Sequence, residues 1–208
     1  AQQLAAPQHD VAIVAEHDRS LLDATLDATD VARQGFQDAS PFAPALQVLP
    51  LALATMWEPL DVYALLAFLA HPIGPVPGYL RGRLAEVLAE HPGIGGPRWR
   101  EAIAHIERQY PDRAAETREA LAVWVEHPRY RPQQGAPLTM ILQRTSRVRD
   151  YFHAGLFDQN PVLSQAHASG YRQAMAVIAA LEALAAQGDM SITPVALHTL
   201  VAQCTGRG

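Results

Sequence analysis

From residue 41 onward, apolar residues return at three- and four-residue steps, and Pro or Gly marks most of the breaks. That pattern predicts a succession of amphipathic helices. Phe42, Leu46, Leu49, Leu53 and Met56 form a first stripe, which Pro50 should kink or divide because proline lacks the amide a helix interior needs. Residues 60–69 (LDVYALLAFL) are apolar almost all round, the mark of a central, buried helix far too short to span a bilayer. Leu80, Leu84, Val87 and Leu88 make the next stripe, with Arg81, Arg83, Glu86 and Glu90 turned outward. Trp99, Ile103, Ile106 and Tyr110 give a clean period, followed by a helix carrying Leu121 and Trp124 that ends near His127. Residues 128–136 (PRYRPQQGA) read as an exposed loop. Beyond it Leu138, Ile141, Leu142, Thr145, Val148 and Phe152 line one face, and an Ala-rich helix runs from about Ser164 to Gln187. Thr193-Pro194 opens the last helix, Thr as cap and Pro in the first turn.

The first forty residues differ. Residues 11–15 (VAIVA) form a short β-branched run, Asp18 is placed to cap a helix with Leu21, Leu22 and Leu26 on one face, and residues 31–37 (VARQGFQ) suit a second strand. A β-α-β piece of this size cannot bury both faces of its strands, so residues 1–40 read as a stub of a larger sheet and residues 41–208 as a helical domain. The fold class expected is therefore mainly α.

Composition adds exclusions. Hydrophobic residues make up 49% and charged residues 18% of the 208, ordinary globular proportions. The start, AQQLAAPQHD, lacks the form of a signal peptide, and the lone Cys204 cannot form an internal disulfide, so the chain reads as cytoplasmic with no membrane partner. All 16 basic residues are arginine. A chain without lysine can hold no Walker A phosphate loop, no Schiff base and no lysine-dependent nuclease site. A net charge of -5 confines any contact with nucleic acid to a local patch.

Candidate chemistry is sparse. His71-Pro72, His91-Pro92 and His127-Pro128 each end an apolar segment; this suits a histidine complementing the helix dipole before a proline stop better than a metal site. Asp112 reads as a helix N-cap. No Gly-x-Ser-x-Gly elbow is present, and no catalytic, metal or cofactor-binding residue is assigned. The turn at residues 91–97 (HPGIGGP) could let the backbone at Gly93, Gly95 and Gly96 approach a phosphate at a helix N-terminus, with Arg98 and Arg100 nearby; the residues taken by themselves favour a plain helix–helix turn. A second turn, residues 73–78, precedes Arg81 and Arg83. Arg129 and Arg131 flank Tyr130, a pairing suited to backbone contact and base stacking, whereas Arg144, Arg147 and Arg149 read as a solvated face.

The order of strand VAIVA, helix RSLLDATLDA, strand VARQGFQ, the helical stretch FAPALQVLPLALATMWEPLDVYALLAFLAHPIGP and then a Gly-rich turn resembles UvrD/Rep-type superfamily-one helicases, whose second RecA-like core is interrupted by a helical insertion, subdomain 2B. ALQVLPLALATMWEPLDVYALLAFLAHPIGPVP and HPGIGGPRW are most similar to the AddB-type subunit of bacterial helicase-nucleases, which carries a PD-(D/E)XK nuclease and is the counterpart of RecBCD. The resemblance implies a 2B-like domain behind a RecA-like stub. Its role would be a non-catalytic scaffold in double-strand-break repair, with duplex DNA, a helicase partner and the rest of its own polypeptide as partners and no cofactor in the segment. The parent would be an ATP-dependent helicase-nuclease subunit with exonuclease activity. Where active members place a phosphate-binding arginine after the first strand, this chain has Ala15-Glu16-His17-Asp18, with Arg19 as a displaced substitute; the resemblance then implies an inactive nucleotide site. The alternative from composition alone is a helical ligand-binding or regulatory domain enclosing an apolar pocket.

Overall fold

The computed structural model describes residues 43–188 and 190–205, together with Leu26 and Ala28. By its internal contacts the chain divides into two units, Ala1–Ser40 and Pro41–Gly208. In the first, Leu26 is helical and buried and Ala28 helical and exposed. The strands, the Asp18 cap and the 15–19 stretch expected there lie outside the described residues, as does Phe42.

The second unit is mainly helical. Its elements are α1 (Pro44–Ala54), α2 (Val62–Ala70), α3 (Gly78–Glu90), α4 (Pro97–Gln109), a 3-10 turn (Pro111–Arg113), α5 (Ala114–Trp124), β1 (Ala136–Pro137), α6 (Leu138–Ala154), α7 (Pro161–Ala185), β2 (Ser191–Ile192) and α8 (Pro194–Thr205). The two short strands pair antiparallel, Ala136 opposite Ile192. No described helix is long and apolar enough to cross a membrane.

The central helix is α1, which packs against α2, α6, α7 and α8. Its buried residues, Ala45, Leu46, Val48, Leu49, Ala52 and Leu53, recur with the helical period along one broad face. The continuously apolar α2 is not central. It buries Leu65, Phe68 and Leu69 but leaves Tyr63 83% exposed and Ala67 and Ala70 in solvent. All-round apolarity specified no covered side, and packing covers one. Asp61 starts α2 by accepting the amides of Tyr63 (2.9 Å) and Ala64 (3.0 Å).

The stripe predicted for α3 is the buried face found, Leu80, Leu84, Val87 and Leu88. Thr193 caps α8 through the Ala196 amide at 3.5 Å, ahead of Pro194. Asn160 opens α7 by accepting the amides of Val162 and Leu163. Asp112, in contrast, lies within the 3-10 turn and makes no cap bond to α5; its charge sits near the positive end of that helix instead. The most extensive helix pair is α6 with α7. It closes because Gly170 has no side chain: a Cβ there would overlap the ring of the fully buried Phe152.

Pro50 does not divide α1. It removes the amide that would bond the carbonyl four residues back, that of Leu46. That carbonyl is buried, and Gln173 Nε2 of α7 donates to it at 3.1 Å while also donating to Thr205 Oγ1 of α8 at 2.9 Å. A side chain from another helix replaces the bond that proline deletes, and in doing so ties α1, α7 and α8 together. Gln173→Leu should therefore cost about 1–3 kcal/mol in urea unfolding followed by circular dichroism, the range for an orphaned buried acceptor. In a Pro50→Ala background, where the restored backbone amide can reach the Leu46 carbonyl, the cost should be roughly 1 kcal/mol smaller. Equal costs in both backgrounds would refute this coupling.

Candidate nucleic-acid interface

The turn between α3 and α4 is built by two glycines in the left-handed region, Gly93 (φ 130°) and Gly95 (φ 75°), a backbone that other residues adopt only with strain. Ile94 between them packs on the core and pins the turn. Gly96 occupies the N-cap of α4 without a side-chain cap, and Pro97 takes the first helical position. The helix therefore begins with amides that none of its own side chains satisfies, at the positive end of its dipole. Trp99 in its first turn is 1% exposed, with its indole Nε1 buried and unpartnered among the described residues.

The arginines around this turn are unequal. Arg98 reaches Glu101 at 3.1 Å, a pair about two-thirds exposed on both sides. Arg100 is exposed, with no ion pair or side-chain hydrogen bond among the described residues. Arg81 and Arg83 lie near the opposite end of α3. Arg83 pairs with Glu86 at 2.6 Å, and Arg81 is turned inward, donating through Nη1 to the carbonyls of His71 (2.9 Å) and Pro72 (3.2 Å), where it closes the C-terminus of α2. It is not an outward-facing residue.

Arg129 and Arg131 belong elsewhere. Tyr130 forms a parallel bridge with Trp57, its amide donating to Met56 O at 2.8 Å and its carbonyl accepting from Glu58 N at 2.9 Å. The segment expected as an exposed loop is thus tied to the α1–α2 connection, and Gly135 and Ala136 at its end are buried. Arg129 donates to Val125 O at 2.7 Å, and burial lowers its pKa, with Glu58 opposing. Arg131 lies 3.9 Å from Glu58. The nine positions chosen for nucleic-acid contact therefore fall into three separate groups. Only Gly93, Gly95, Gly96, Arg98 and Arg100 share one turn.

The arginine that sequence reading placed on a solvated face is the most deeply engaged. Arg144 of α6 is 6% exposed. Its Nε donates to Ala52 O at 3.2 Å, Nη1 to Val123 O, and Nη2 to Trp124 O and Thr55 Oγ1, both at 3.1 Å. The guanidinium also lies 4.9 Å from the Trp124 ring centroid and 5.9 Å from that of Phe68. Burial, and secondarily Arg129, lowers its pKa to about 9, so it keeps its charge at neutral pH. The signal was present in the sequence: Arg144 stands three residues after Ile141 and four before Val148, on the buried stripe itself.

His127 completes this network. Its Nε2 lies 3.2 Å from Thr55 Oγ1 and its Nδ1 3.0 Å from Pro128 O. Burial first, then Arg144, lowers its pKa from 6.5 to about 4, so the ring is neutral and has one N–H. Thr55 Oγ1 donates its one proton to Ala52 O at 2.8 Å, so His127 Nε2 lies beside a hydroxyl that already has its acceptor. A neutral histidine is not the dipole-complementing cation expected at this helix end. His71 and His91 do stand at the C-caps of α2 and α3, and His71 Nδ1 meets Ile73 O at 2.8 Å. Among the described residues no three His, Cys, Asp or Glu side chains come together in a way that could hold a metal. Cys204 Sγ lies 3.8 Å from Ala176 O, in the packing of α8 on α7.

No protein family, curated protein or solved structure matches the chain.

Two outcomes follow from the Arg144 network. Arg144→Ala should lower stability by about 3 kcal/mol, because the carbonyls of Val123 and Trp124 lose their donor together while Ala52 O keeps only Thr55 Oγ1, and Arg144→Lys should restore only part, since an ammonium cannot reproduce the planar fork. Unfolding midpoints for the three proteins decide it, and an Arg144→Ala protein as stable as the parent would exclude the role. For His127 the unfolded ring titrates near 6.5 and the folded ring near 4. Between these values only the unfolded state takes up the proton, so stability should fall as pH drops from about 6.5 to 4, then level off. His127→Gln should flatten that part of the pH profile.

Proposed function

We propose that residues 41–208 act as a non-catalytic positioning domain of a DNA double-strand-break repair helicase-nuclease of the AddB type, meeting duplex backbone at the α3–α4 turn. Two things support the reading: the resemblance in segment order, and a mainly helical unit consistent with a helical insertion. The observation that carries the DNA contact is the turn itself. Two left-handed glycines hold the backbone close to the surface, the uncapped start of α4 offers amides to an anion, and Arg100 stands exposed beside them. Arg98 can join, because an exposed pair such as Arg98–Glu101 is worth only about 0–1 kcal/mol and exchanges readily for phosphate. Arg81 and Arg129, held by carbonyls, serve the fold instead. With a net charge of -5, only a local contact of this kind escapes repulsion from phosphate.

The test is fluorescence anisotropy of a labelled duplex oligonucleotide across a salt series. Affinity should fall steeply with salt. Arg98→Ala/Arg100→Ala should weaken binding and reduce the logarithmic salt slope by about 2, whereas Arg129→Ala should lower thermal stability and leave the slope unchanged. Unaltered binding in the double variant, or no binding at low salt, would remove the DNA contact from the proposal.

A further inference from the structure

We draw no further inference here: the strongest candidate, the exposed apolar tip of the α6–α7 hairpin formed by Phe157, Val162 and Leu163, carries nothing, because nothing in the structure shows what covers it.

Discussion

Burying a guanidinium is costly unless every part of it is met by charge or dipole, and Arg144 is met almost entirely by backbone. Ala52 lies in the last turn of α1, and Val123 and Trp124 end α5, so the carbonyls it receives belong to the negative ends of two helix dipoles. Each end presents partial charge that would otherwise need water. One fixed fork answers both, and the Trp124 and Phe68 rings cover its faces. The central helix, the C-terminus of α5 and the first half of α6 are thereby held at one point, with Thr55 and His127 filling the remaining hydrogen-bond positions. Burial first, and then the Arg144 charge, keeps the histidine at this helix end neutral, and the cation that usually favours such a position is already supplied.

Gln173 repeats the principle with a neutral group. In both cases a long helix, α6 or α7, sends a polar side chain into the core to serve a carbonyl of α1 or of the segment beside it. The core is therefore specified by more than apolar volume. A purely hydrophobic residue at either position would fill space and leave acceptors orphaned.

Much of the helical framework was legible because periodicity reports burial directly. The α3 stripe, the α6 stripe and the Thr193-Pro194 start are read from spacing alone. What was not legible falls into two kinds. The exposed face of α2 could not be read, since a uniformly apolar segment gives no contrast from which to infer a direction. Arg144 is obscured for the opposite reason: its position on the stripe announces burial, while its residue type points to solvent. Within the candidate interface, the glycine turn was legible as a turn, and the pairs Arg83–Glu86 and Arg98–Glu101 stand at a spacing that a helix makes adjacent. The inward turn of Arg81 and the tying of Tyr130 to Trp57 depend on partners distant in sequence, which local pattern does not carry.

The Pro50–Gln173 arrangement also bears on how such a chain can change over generations. Proline at 50 creates a need that glutamine at 173 meets, but glutamine creates no matching need for proline. Replacing the proline first removes the demand of the Leu46 carbonyl and lowers the cost of an apolar residue at 173; replacing the glutamine first leaves that demand standing. Divergence of this core is thus direction-dependent, with one order of substitution open and the reverse order obstructed, although both end at the same pair of residues.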